Sequence, residues 1–135
     1  MKKVLVSPSK YVQDNGALSN LGEYVLAFGE KALLVASSED QARVQVQLDK
    51  ALASHDFTMV SGNFGGECTK DEVARMIALC EKESCEVVIG LGGGKAIDTA
   101  KAASSALNIP VMSVPTIAST DAPCSSLSVV YNDKG

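Results

Sequence analysis

Blocks of apolar residues alternate with amphipathic stretches along the chain, and their spacing predicts strands and helices in turn. Short apolar runs bounded by turn residues are typical of buried strands, and we expect strands at residues 3–6, 32–36, 57–61, 87–91 and 111–114. Between these runs, apolar residues recur every three or four positions, which predicts amphipathic helices. Such alternation is typical of a parallel sheet with helices on both of its faces.

Four helices are predicted, beginning near residues 15, 38, 69 and 95. Asn15 offers an N-cap for the first, which we expect to end at Gly29. The clearest helix begins at Thr69, because Thr69 and Glu72 have the spacing of a capping box. Its apolar stripe comprises Val73, Met76, Ile77 and Cys80, and that of the second helix comprises Val44, Leu48 and Leu52. Together these elements predict an α/β, Rossmann-like fold built on a mostly parallel sheet.

The last stretch of the chain predicts the start of a β-hairpin. Residues 127–131 alternate as a strand does, and the NDKG that follows is a hairpin-turn signal. Because no second strand follows, we expect this strand to lack its partner and the chain to be truncated. An unpaired strand predicts self-association, so we expect a homo-oligomer.

A glycine cluster gives the most specific chemical signal. Residues 87–101 read VVIGLGGGKAIDTAK, a predicted strand that ends in glycines immediately before a predicted helix. Such a turn directs backbone N–H groups and the positive end of the helix dipole at one point, which suits a phosphate. Lys95 opposes the dipole unless an anion lies over it, and we expect Asp98 to offset part of its charge. The spacing is neither GxGxxG nor a P-loop, so a tight turn without a ligand remains the alternative.

Three segments are expected to meet at the edge of the sheet where ligands bind. In open α/β sheets this is the edge formed by the carboxyl ends of the strands. Ser37, the glycine cluster and the Pro115–Thr116 turn each follow a predicted strand. Residues 116–126 add hydroxyls and one carboxylate, which suit a polar ligand or, equally, form a series of Ser/Thr and Asx turns.

Composition and charge exclude several classes of function. The net charge of −4, with no basic cluster longer than Lys2–Lys3, argues against nucleic-acid binding. No apolar run approaches the ~20 residues of a membrane span, and the N-terminus lacks the pattern of a signal peptide, so we expect a cytoplasmic protein. The absence of CxxC spacing, with His55 as the single histidine, favours reduced thiols over a zinc site. The cysteines are Cys68, Cys80, Cys85 and Cys124.

Two segments match a known family. The first is GGGK at residues 92–95, followed by Asp98 and Lys101, and the second is PTIASTDAPCSSLSVVY at residues 115–131. The opening SPSKYVQ and the FGGEC at residues 64–68 are similar as well. The chain resembles the glycerol dehydrogenase family of the metal-dependent (iron-containing) alcohol dehydrogenase superfamily. This resemblance covers essentially the whole chain but only the N-terminal part of a family member.

The resemblance implies an NAD-binding N-terminal domain over residues 1–135. It implies that the full enzyme oxidises a small polyol, glycerol, to dihydroxyacetone with hydride transfer to NAD. It also implies zinc or another divalent metal, held in the full enzyme by an Asp and two His residues of an all-helical domain that this chain does not contain. The isolated chain is therefore expected to be inactive.

The resemblance also implies roles for particular residues. Gly93, Gly94 and Lys95 are expected to hold the cofactor pyrophosphate, and Asp98 touches the cofactor or fixes the turn. Asp121 is expected to contact the polyol. Thr116 and Ser119 would line the cofactor cleft, and the nicotinamide side would be flanked by Ser125, Leu127 and Tyr131.

The sequence departs from the family at Ser37, where family members commonly have an Asp that binds the ribose hydroxyls. Ser37 is either a cofactor contact or the N-cap of the following helix, with Glu39 and Asp40 just beyond it, so NAD and NADP both remain open. Two further interpretations remain. One is a stand-alone nucleotide-binding or assembly module without catalysis. The other is the N-terminal domain of another superfamily member, such as a glycerol-phosphate dehydrogenase or a dehydroquinate-synthase-like enzyme.

Overall fold

A six-stranded sheet organises the chain. The structure is a computed structural model that describes residues 8–13, 16–116 and 126–130, with side chains for 16–116 only. The expected strand at residues 3–6 and the NDKG turn lie outside this part. The strands are β1 Pro8–Gln13, β2 Lys31–Val35, β3 Thr58–Ser61, β4 Val87–Gly92, β5 Val111–Pro115 and β6 Ser126–Val130. The helices are a short 3₁₀ turn Leu18–Asn20, α1 Leu21–Val25, α2 Ser38–Arg43, α3 Gln45–Ser54, α4 Lys70–Glu83 and α5 Gly94–Leu107.

The order of strands across the sheet is β1-β6-β5-β4-β2-β3. Strands β5, β4, β2 and β3 are parallel, whereas β6 runs antiparallel to both β5 and β1. Ile89 at the centre of β4 lies opposite Leu34 of β2 and Met112 of β5. The fold is therefore an α/β, Rossmann-like arrangement with a mostly parallel sheet, as the sequence predicts.

Both faces of the parallel part of the sheet are buried. Leu34 and Ile89 point to one face, where they pack with residues of the 3₁₀ turn, α1 and α3. Leu33 and Val88 point to the other face, where they pack against α4 and α5. Burial on both sides explains why β4 is apolar throughout instead of alternating, since all six of its residues are buried.

Helix α5 lies very close to β4 because the facing residues are small. A Cβ added at Gly90 would lie 2.7 Å from the Cβ of Ala100, too close for two carbon atoms. Ala100 and Ala103 are both fully buried at this contact. The close approach, which the Ala-rich sequence of the helix predicts, brings the start of α5 to the ends of the strands.

The first two predicted helices form in shorter pieces. Residues 16–29 form the 3₁₀ turn and the five-residue α1, which ends in turns up to Gly29, and the predicted N-cap Asn15 lies outside the described residues. The predicted second helix breaks at Val44, which separates α2 from α3. Val44 and Leu48 are buried as predicted, together with Ala51, whereas Leu52, predicted for the apolar face, is 40% exposed.

The expected capping box at the start of α4 is half formed. The Thr69 hydroxyl accepts a hydrogen bond from the Glu72 N–H at 3.0 Å, as predicted. The Glu72 carboxylate does not return to the Thr69 N–H, which donates to the Glu67 carbonyl instead. The Glu72 carboxylate accepts hydrogen bonds from the N–H of Gly65 and from the guanidinium group of Arg75. The hydrogen bond from Arg75 lowers the pKa of the Glu72 carboxyl. The box is thus replaced by a contact that ties α4 to the loop after β3.

The expectation of an unpartnered final strand is wrong. Strand β6 forms close to the predicted position, at Ser126–Val130, and both of its edges are paired. Its partners are β5, which precedes it in the chain, and β1, which comes from the opposite end of the sequence. The pattern of one strand does not show which distant segment pairs with it.

None of the described helices has the length of a membrane span, since the longest, α4 and α5, contain 14 residues each.

Candidate functional site

A cleft of about 460 Å³ lies at the edge formed by the carboxyl ends of the parallel strands. Ser37 follows β2, Gly93 and Gly94 follow β4, and the Thr116 N–H after β5 donates to the Gly92 carbonyl at 3.0 Å. The structure thus brings together the three segments expected at this edge. The cleft is lined by Ser37, Glu39, Asp40, Phe64, Gly66, Gly93, Gly94, Lys95 and Ala96.

The turn between β4 and α5 leaves the start of the helix bare. Gly92 has a φ of +136°, a conformation that side chains rarely adopt, and Gly93 is the N-cap of α5 without any side-chain cap among the described residues. A Cβ added at Gly93 or Gly94 would meet nothing within 4 Å, so open space adjoins both residues. A helix start of this kind presents N–H groups and the positive end of the dipole to whatever occupies that space.

Lys95 is the cation of the cleft, and its charge is already paired. Its Nζ lies 2.9 Å from a carboxylate oxygen of Glu67, and both side chains are about two-thirds exposed. Asp98, expected to offset part of this charge, lies beyond the first turn of α5 and is exposed, and the ion pair of Lys95 is with Glu67 instead. Asp98 also does not line the cleft, so only a rearrangement would bring it to a ligand there.

Ser37 acts as a helix cap in this structure. Its Oγ accepts a hydrogen bond from the Asp40 N–H at 3.1 Å, and Ser37 is the N-cap of α2. The alternative of an N-cap is therefore confirmed, while a contact between Ser37 and a cofactor stays a prediction. The acidic groups on this side of the cleft belong to Glu39 and Asp40.

Several predicted site residues lie outside the described side chains. Strand β6 includes Leu127, but its side chain is not described. The others are Ser119, Asp121, Ser125 and Tyr131. Their assignments stay predictions.

The segment after β3 contributes lining residues that the sequence did not predict. The Gly62 and Phe64 N–H groups donate to the Leu34 and Ala36 carbonyls, so hydrogen bonding to the β2 segment continues past the end of β3. This pairing brings Phe64, Gly66 and Glu67 to the edge that holds the glycine turn. The topology could have indicated these residues. The carboxyl end of a strand that is parallel to β2 must lie at the same edge of the sheet as Ser37.

The described residues do not fit a catalytic metal. No group of three His, Cys, Asp or Glu side chains with suitable geometry occurs among them. His55 ends α3, away from the cleft residues, and burial raises the pKa of the Cys80 thiol to about 12, which keeps this thiol protonated. Among the described cysteines, Cys68, Cys80 and Cys85 form no disulfide, and Cys124 lies outside the described residues.

A second, shallower groove of about 380 Å³ lies between α4 and α5. Its walls are mostly apolar, and it has neither a bare helix start nor a glycine turn. It is lined by Cys68, Thr69, Lys70, Val73, Ala74, Ile77 and Ala102.

Comparison with known proteins defines the class to which this fold and cleft belong. The family model described as iron-containing alcohol dehydrogenase matches residues 8–135. The chain therefore belongs to the iron-containing alcohol dehydrogenase family.

Within that family, similar proteins include glycerol dehydrogenases. The chain is 47% identical over 133 residues to glycerol dehydrogenase of Thermotoga maritima, covering 96% of this chain and 35% of that protein. It is 39% identical over 135 residues to that of Escherichia coli O6:H1, covering 100% of this chain and 37% of that protein. The crystal structure of glycerol dehydrogenase from Schizosaccharomyces pombe superposes with a TM-score of 0.74 at 28% identity, covering 84% and 29% of the two chains. The chain thus spans about a third of the length of these relatives.

Proposed function

We propose that residues 1–135 form the NAD-binding domain of a glycerol dehydrogenase, and that the cleft at the strand ends holds the pyrophosphate of NAD. The observation that supports this most strongly is the bare start of α5, where Gly93 and Gly94 adjoin open space. Two phosphates placed there would accept hydrogen bonds from the first N–H groups of the helix. The similarity to glycerol dehydrogenases supports the choice of enzyme.

Lys95 has a defined part in this proposal. In the structure its ammonium group pairs with Glu67, and both side chains are about two-thirds exposed. We expect the ammonium group to leave Glu67 for the more highly charged pyrophosphate, because that ligand would also cancel the unfavourable position of a cation at a helix start. Thr116, at the end of β5, would lie beside the cofactor as predicted.

The proposed reaction is oxidation of glycerol to dihydroxyacetone. A hydride leaves the carbinol carbon for the nicotinamide ring of NAD while the hydroxyl loses its proton. The residues assigned to the nicotinamide and the polyol, including Asp121 and Tyr131, stay predictions. The divalent metal that the family resemblance implies finds no ligand set among the described residues. Following the same resemblance, we assign its ligands to the helical domain of the full enzyme, and expect the isolated chain to lack dehydrogenase activity.

The proposal is tested by calorimetric titration of NAD⁺ into this chain and into Lys95→Ala. We expect saturable binding to the unaltered chain and a loss of affinity of about tenfold in the variant, because one charge–phosphate contact is removed. Lys101→Ala is the matched control, since it removes the same charge from an exposed position of the same helix, outside the cleft. Absence of NAD⁺ binding at millimolar concentration, or equal losses in the two variants, would overturn the proposal.

A further inference from the structure

Negative charge surrounds the cleft on the side of β2. Glu39 and Asp40 line it there, and the cation among its lining residues, Lys95, is paired with Glu67 at 2.9 Å. Arg43, which lies in the same helix as Asp40, is paired with it at 2.9 Å. Among the described residues on this side, therefore, each of these cations is already matched by a carboxylate.

Asp40 holds its carboxylate over the glycine turn. One of its oxygens, Oδ1, accepts a hydrogen bond from Arg43. The other, Oδ2, lies so close to Gly92 that a Cβ on that glycine would be 2.5 Å away. The side chain is 21% exposed, so the carboxylate is fixed from one side and reachable from the cleft.

Ser37 does not supply the charge that its position usually supplies in nucleotide-binding folds of this kind. Its hydroxyl oxygen is engaged in capping α2 through the Asp40 N–H. The same cap places Asp40 in the first turn of α2, three residues farther along the chain, with its carboxylate at the cleft. A carboxylate is therefore present at this edge although the strand ends in serine.

NAD and NADP differ by one phosphate on the 2′ oxygen of the adenosine ribose. A carboxylate near that oxygen accepts a hydrogen bond from the free hydroxyl and repels the phosphate. We propose that Asp40 is the residue that determines cofactor specificity, favouring NAD over NADP. This inference rests on the proposed function, since it concerns the same cleft.

The test compares NAD⁺ and NADP⁺ binding to the unaltered chain and to Asp40→Asn by calorimetry. The substitution keeps the size of the side chain and the N–H that caps α2, and removes the negative charge. We expect the unaltered chain to bind NAD⁺ more tightly than NADP⁺, and the variant to shift the ratio toward NADP⁺ by about tenfold, because one charge repelling a phosphate is lost. Asp49→Asn, on the exposed side of α3, removes an equal charge and should leave the ratio unchanged.

Arg43→Met separates this proposal from its main rival. If Asp40 selects the cofactor, this variant keeps the preference for NAD⁺. An unaltered chain that prefers NADP⁺ and loses that preference in Arg43→Met would show that Arg43 binds the 2′-phosphate, and would overturn the inference. An equal increase in affinity for NAD⁺ and NADP⁺ in Asp40→Asn would overturn the inference as well, because Asp40 would then repel only the pyrophosphate that the two nucleotides share. Failure of the proposed function is distinguishable, since neither nucleotide would bind the unaltered chain.

Discussion

The sequence predicts where Lys95 lies in the fold but not which residues surround it. Its position in the first turn of α5 follows from the glycine cluster, which is a local signal. Its partner, Glu67, lies 28 residues earlier and reaches it only because the exit of β3 lies beside β2. The same reason explains why Asp40 was not predicted to approach Gly92. Contacts between distant segments require the topology, and residue spacing alone does not provide it.

At this scale we predict that Glu67→Gln strengthens NAD⁺ binding. The substitution removes a carboxylate that competes with the pyrophosphate for Lys95, and an exposed ion pair contributes about 0.2–1 kcal/mol. The dissociation constant should fall by roughly two- to fivefold in a calorimetric titration. In a Lys95→Ala background the same substitution should have no effect. Weaker binding in the single variant would mean that Glu67 itself contacts the nucleotide.

Helix α5 combines two glycine-dependent features that serve different purposes. Gly90, on the strand below, permits the close contact between the helix and the sheet, whereas Gly94 opens the helix onto the cleft. The space around each glycine distinguishes these two roles. A Cβ at Gly90 would collide with Ala100, whereas a Cβ at Gly94 would meet nothing within 4 Å. Strands β2, β4 and β5 form within one residue of their predicted bounds, and helices α4 and α5 begin within one residue of their predicted starts, because their periodicity is local. The break at Val44 was not predicted, because the apolar spacing from Val44 to Leu48 continues across it.

The two glycines give a matched pair of alanine substitutions. Gly90→Ala should lower the free energy of unfolding by about 1–3 kcal/mol, because the added methyl group overpacks the contact with Ala100. Gly94→Ala should leave stability unchanged or slightly increased, since alanine favours the helix, but should weaken NAD⁺ binding by obstructing the pyrophosphate. Urea unfolding and calorimetric titration measure the two effects. An unchanged free energy of unfolding in Gly90→Ala, or unchanged NAD⁺ affinity in Gly94→Ala, would contradict these separate roles of the two glycines.

Across the whole molecule, β6 connects the two ends of the chain. It lies between β5 and β1, and Ser128 is opposite both Tyr11 and Ser113. Because both edges of β6 are paired, an unpaired final strand no longer explains the expected self-association. The fold class was predictable from alternating strands and helices. The partner of β6 was not, because β1 is more than a hundred residues away from it in the sequence.

We predict that Ser128→Pro detaches β1 from the sheet. Proline cannot donate to the ladder in a strand that is paired on both sides, and β1 has β6 as its neighbour in the sheet. Hydrogen exchange should show loss of protection for the amides of residues 10–13, with protection retained in β2 and β4. Continued protection of both residues 10–13 and residues 111–113 would contradict the pairing described here.

The central claim, that a pyrophosphate binds at the start of α5, is tested most directly by NMR. Titration of NAD⁺ into the ¹⁵N-labelled chain should shift the amide signals of Gly93, Gly94 and Lys95 most strongly, with smaller shifts around Asp40. Shifts concentrated instead in the groove between α4 and α5, at residues such as Val73 and Ala102, would contradict the account.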